Sequence, residues 1–148
     1  MTVIVRNPEG KIVVMCKGAD SIILPLLRQD SENVDSTIKL LEMYSREGLR
    51  TLLLAQKEIS EHEYSKWNYK YQQALISTFN REEKVATVSE EIEHDFFLIG
   101  STAIEDKLQD EVADTIEFMK RAGIKVWVLT GDKIETAINI GISCKLLN

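Results

Sequence analysis

Apolar and polar positions alternate weakly over residues 2–6, which are β-branched, and residues 11–16 are strand-like again, with Asn7-Pro8-Glu9-Gly10 between them. That pattern predicts a β-hairpin, with proline and glycine where a reverse turn selects them. The first strand opens at the start of the chain and leaves an edge for another strand to pair. Lys17-Gly18-Ala19-Asp20 follows, and Asp20 is placed to cap a helix. Pro25 removes a backbone donor, so this helix should be short or kinked. Residues 29–36 are polar and read as a surface loop. Val34, Ile38, Leu41 and Tyr44 then recur at helical spacing as far as Gly48, which suits a helix end. Residues 49–56 read as a strand with Arg50 at its mouth. Ser60-Glu61-His62-Glu63 is a capping box, with Ile59 and Tyr64 in the staple positions. Behind it Tyr64, Trp67, Tyr71, Leu75 and Phe79 form one apolar stripe, expected to be core packing. Val85, Val88 and Ile92 mark a second helix in the acidic stretch 82–95, whose charge reads as a solvated face. Residues 96–100 predict a further strand. From Leu108, the positions Val112, Ile116 and Met119 give an amphipathic helix closed by Gly123 with Ile124 behind it.

The chain is organised around what comes next. Residues 126–129 are a continuous β-prone apolar run, the pattern of a strand buried on both faces of a parallel sheet. Thr130-Gly131-Asp132 makes a small polar turn, and Ile134, Ala137, Ile138, Gly141 and Ile142 restart the chain as a helix that is apolar over a wide arc. Open α/β sheets hold ligands at the carboxyl ends of their strands. The Thr130 hydroxyl, close backbone approach at Gly131 and the free amides of a helix start all suit a phosphate oxygen. The same three residues also suit a plain strand-to-helix turn. The expected class is α/β: an α+β part with antiparallel strands, joined to a βαβ unit begun but not finished. Residues from about 105 onward therefore read as part of a larger domain.

Composition narrows the partners. A chain of 148 residues, 44% hydrophobic and 28% charged, can bury a core. Its formal net charge of -6 argues against nucleic acid. No apolar run approaches membrane-spanning length, and the amino terminus has no signal-peptide pattern. Cys16 and Cys144 stand far apart in apolar company and read as buried free thiols, while His62 and His94 read as solvated side chains.

Four strings occur in order: Lys17-Gly18-Ala19-Asp20, Glu47-Gly48-Leu49-Arg50-Thr51-Leu52, Ala103-Ile104-Glu105-Asp106-Lys107-Leu108-Gln109, and Val128-Leu129-Thr130-Gly131-Asp132-Lys133-Ile134-Glu135-Thr136-Ala137. Together they resemble the P-type ATPases, and the Glu-Asp-Lys-Leu-Gln string resembles the lipid-flippase branch. The resemblance covers nearly the whole chain. It implies that residues 1–104 are part of a nucleotide-binding domain and 105–148 part of a phosphorylation domain of the haloacid-dehalogenase-like, Rossmannoid type, with a hinge about 101–109. Lys17 resembles the lysine lining the nucleotide pocket, and Arg50 the arginine that meets the ATP phosphates. Thr130, Gly131 and Asp132 resemble the phosphate-side loop, and Asp106 the hinge aspartate that contacts nucleotide. The chain holds no phosphorylatable Asp-Lys-Thr-Gly-Thr string and no Gly-Asp-Gly-x-Asn-Asp string. No catalytic residue and no metal ligand is therefore assigned within it.

Elementary chemistry offers each residue a structural role as well. Lys17 can close a turn, Arg50 can pair with one of 24 acidic residues, and Asp132 can begin a helix. The resemblance implies ATP and magnesium as cofactors, with most magnesium ligands elsewhere. It also implies a phospholipid substrate handled by a membrane domain, a position on the cytoplasmic face of a membrane, and room for an accessory subunit. The fragment alone is expected to be inactive. A non-catalytic regulatory module built on the same scaffold is the alternative. A soluble dehalogenase-type phosphatase ranks last, because no suitable Asp-x-Asp string is found.

Overall fold

The structure, a computed structural model, describes residues 1–105, 107–131 and 134–147. Its elements in chain order are β1 (Thr2–Arg6), β2 (Ile12–Gly18), α1 (Asp20–Ile23), α2 (Val34–Arg46), β3 (Arg50–Ile59), α3 (Glu61–Leu75), α4 (Arg81–Glu90), β4 (Phe97–Ile104), α5 (Val112–Arg121) and α6 (Ile134–Ser143). The strands form one sheet in the order β1-β2-β3-β4. β1 and β2 are antiparallel with Thr2 opposite Cys16, and β2 and β3 are antiparallel with Lys17 opposite Leu54. The expected α/β class holds, with antiparallel pairing in its first part. The chain divides into two compact units, Met1–Val34 with Leu52–Gly100, and Asp35–Thr51 with Ser101–Asn148.

In the first unit the period of two decides which side chains are covered. Ile12, Val14 and Cys16 of β2 and Leu53, Ala55 and Ile59 of β3 are buried, while Met15, Lys17 and Gln56 are exposed. Gly18 ends β2 where a Cβ would come within 3.3 Å of the Ile23 Cδ1 atom, so its absence lets α1 pack close. As the proline predicted, α1 is only four residues long and passes into a 3-10 turn, Leu24–Leu26, with Pro25 in its first turn. Ala19 rather than Asp20 occupies the cap position. Asp20 is already the first helical residue, and its carboxylate accepts the Ser21 N–H at 3.0 Å. Leu27 then bridges to Phe96, which is wholly buried.

The capping box closes as expected on its serine side, where Ser60 Oγ accepts the Glu63 N–H at 3.1 Å. Along α3 the Trp67 and Tyr71 rings stack at 4.9 Å. Trp67 Nε1 donates to the Val88 carbonyl of α4 at 2.8 Å, which joins the two helices. Phe79 does not belong to this stripe. The helix stops at Leu75, Asn80 turns the chain with a φ of 47°, and Phe79 is 73% exposed.

α2 starts at Val34, inside the stretch expected to be loop, runs from Asp35 within the second unit, and buries Thr37, Leu41 and Ser45. It ends at Gly48, whose φ of 81° is the left-handed conformation that glycine adopts without strain. Asn139 of α6 donates to the Arg46 carbonyl at 3.2 Å and sits where a Cβ on Gly48 would meet it. α5 begins at Val112, later than the apolar pattern from Leu108 suggests, and closes as expected at Gly123, with Ile124 N–H bonded to the Met119 carbonyl. Lys145 lies beyond α6 and reaches Asp114 at 2.7 Å and Glu117 at 3.0 Å on α5.

Residues 126–129 do not form the expected buried strand. Backbone 124–131 is irregular, Trp127 is 76% exposed and Leu129 is 98% exposed. A strand exists only through the ladder it joins, and no parallel partner stands beside this segment among the described residues. The apolar run thus records a preference that nothing in the unit satisfies.

Candidate functional site

The alternation that buries one face of β2 and β3 presents the other. Val3 pairs with Met15, Met15 with Gln56, and Lys17 with Leu54, so all five side chains rise from the same face of the sheet. Together with Met1 and Ile99 they line a concavity of about 220 Å³. This lining is almost entirely apolar, and Lys17 and Gln56 are the residues in it whose side chains end in polar groups.

The backbone holds Lys17 rigidly. The amino-terminal ammonium of Met1 donates to the Lys17 carbonyl at 2.9 Å, and the Lys17 N–H donates to the Met1 carbonyl at 2.9 Å. Its side chain is exposed beside the concavity. An ammonium on a flexible stem at the rim of an apolar hollow can meet an anionic group while a flat apolar moiety covers the hollow.

Lys57 lies next to Gln56 along β3 and so, by strand parity, belongs to the opposite, covered face. It is 7% exposed, and its ammonium sits 5.6 Å from the centre of the Phe96 ring. Burial lowers its pKa, against smaller opposing effects of Glu63 and Asp95. It takes no part in the concavity.

The six residues singled out from sequence divide between the units. Lys17 is in the first; Arg50, which opens β3, and Thr130 and Gly131, both exposed, are in the second. Asp106 and Asp132 lie outside the described residues. The described structure therefore does not collect the set within one unit. Among the described residues no group of three histidine, cysteine or carboxylate side chains is arranged to hold a metal ion, and no helix is long and apolar enough to cross a membrane. Gln56 and Met15 were not singled out from the sequence. Strand parity could have placed each on a face, but only the register between β2 and β3 sets them side by side.

Comparison with known proteins agrees with the string-by-string resemblance. The family described as P-type ATPase, cytoplasmic domain N, matches residues 1–111. Phospholipid-transporting ATPase DNF1 of Chaetomium thermophilum is 54% identical over all of this chain, which covers 10% of that protein. Phospholipid-transporting ATPase DRS2 of Saccharomyces cerevisiae is 52% identical over all of the chain and 11% of the relative. Phospholipid-transporting ATPase ID of Homo sapiens is 51% identical over 99% of the chain and 12% of the relative. The chain spans about a tenth of the length of these curated relatives.

Proposed function

The chain belongs to the P-type ATPases, and we propose that it is an ATP-binding cytoplasmic part of a phospholipid-translocating member. One observation carries this reading: about half of its residues, over essentially its whole length, are shared with proteins named as phospholipid-transporting ATPases. The Lys17 concavity supports the nucleotide half. It offers an apolar surface for a base, with the Lys17 cation beside it, within one unit.

In this reading residues 1–104 are part of the nucleotide-binding domain, 105–148 begin the returning phosphorylation domain, and the stretch about 101–109 is the hinge between them. ATP binds with Lys17 near the base and sugar. Arg50 supplies a planar fork of donors that matches phosphate oxygens. Thr130, Gly131 and Asp132 form the loop on the phosphate side, and Asp106 touches nucleotide from the hinge. Phosphoryl transfer is governed by positioning and electrostatics, and this chain supplies part of that positioning. Magnesium, when bound, would offset the repulsion between the Asp132 carboxylate and the phosphates, as would Lys133. Transfer is to an aspartate that this sequence does not contain. Domain motion through the hinge then couples phosphorylation to lipid movement across the membrane. Any accessory subunit would engage other parts of the parent protein.

The test is a titration of this chain with ATP, followed by amide chemical shifts. Lys17→Ala and Arg50→Ala should each weaken binding about tenfold or more, the scale of a lost charge-assisted hydrogen bond. Unchanged affinity in both variants would overturn the assignment.

A further inference from the structure

A second lining residue of the concavity, Gln56, ends in a polar group whose chemistry differs from that of Lys17. Gln56 stands directly opposite Met15, and Lys17 directly opposite Leu54, so Gln56 and Lys17 sit diagonally across the β2–β3 ladder. Diagonal partners of this kind are about 7–8 Å apart. That backbone span leaves room for a flat ring over Met15 and Leu54, between the stems of the two side chains. Both polar residues are exposed, and both line the concavity.

We infer that Gln56 selects the base of the bound nucleotide, favouring adenine over guanine; the inference rests on the nucleotide-binding reading above. A primary amide presents donors and an acceptor side by side. Adenine offers the complementary pair, an exocyclic amino donor beside a ring-nitrogen acceptor. Guanine offers two acceptors, N7 and O6, at the corresponding edge. Against guanine the Gln56 carbonyl oxygen therefore faces an acceptor, and one of the two bonds is lost. An ammonium, by contrast, suits the two acceptors of guanine. Lys17 alone would not prefer adenine. The apolar remainder of the hollow, Val3, Met15, Leu54 and Ile99, accepts the face of either base without distinguishing them.

The experiment is competition against trinitrophenyl-ATP on this chain, with ATP, GTP and inorganic triphosphate as separate competitors. The unchanged protein should prefer ATP over GTP about tenfold or more, the discrimination that one bidentate amide–base pair supplies. Gln56→Leu should erase that preference while leaving displacement by inorganic triphosphate unchanged. Gln56→Lys should reverse it toward GTP, an outcome that general loss of structure cannot mimic. Displacement that depends on Lys17 but shows the same ATP-to-GTP ratio in all three proteins would overturn the inference and leave the nucleotide reading standing. Absence of displacement by any competitor would overturn both.

Discussion

At the scale of single residues, Lys57 shows what a charge inside a sheet does. Its neighbours on the covered face are Val14, Ala55 and Ile59, and it stands over the Phe96 ring. The ring attraction offsets about 0.5–2 kcal/mol, yet the direction of the pKa shows that desolvation wins. Because the folded pKa lies below the ordinary lysine value, the unfolded chain binds more protons between the two values. Stability therefore rises with pH across that window. Lys57→Met should stabilise the protein by about 1 kcal/mol at neutral pH, the low end for replacing a buried charge by an apolar side chain of similar length. It should also flatten the alkaline rise. Urea unfolding at neutral and alkaline pH measures both, and a destabilised variant with the rise intact would contradict the account.

At the scale of elements, local chemistry set most starts and stops. α3 depends on Ser60, whose hydroxyl occupies an amide that the helix cannot satisfy itself. Ser60→Ala should cost about 1 kcal/mol and speed hydrogen exchange at residues 61–64 more than in β2 or β3. The same logic explains what the sequence disclosed. The strand-like runs 2–6 and 11–16 around their turn, the box at Ser60, Pro25, Gly48 and Gly123 depend on near neighbours, and each produced the element it implied. What stayed hidden depends on distant partners. The run 126–129 has strand chemistry but no ladder to join among the described residues. Phe79 matches a helical spacing that ends with α3 at Leu75, four residues before it. Lys17 was legible as a candidate from its Lys-Gly-Ala string, whereas Gln56 became one only when register put it opposite Met15.

At the scale of the whole molecule, the two units are held together internally by different means. The first relies on a buried sheet face closed by Ile23 and Phe96. The second has exposed apolar residues, among them Phe118, Trp127, Leu129 and Ile134, and its Lys145 bridges to Asp114 and Glu117 on α5. Hydrogen bonding to Lys145 lowers the pKa of both carboxylates. Their contribution is thus present above the ordinary carboxylate range and fades as pH falls through the lowered values. Exposed ion pairs of this kind are weak and screened by salt. Brief chymotrypsin digestion should accordingly cut first after Trp127 or Leu129, ahead of any site in β2 or β3. Mass spectrometry of the first fragments decides this, and early cleavage within residues 12–18 or 50–59 would refute it.

The terminal position of β1 in the sheet has one more consequence. Val3 and Val5 are 42% and 39% exposed on a strand paired along one side, and the outward-facing amides and carbonyls recognise backbone rather than sequence. What such an edge accepts is therefore any extended segment that can supply the matching backbone groups.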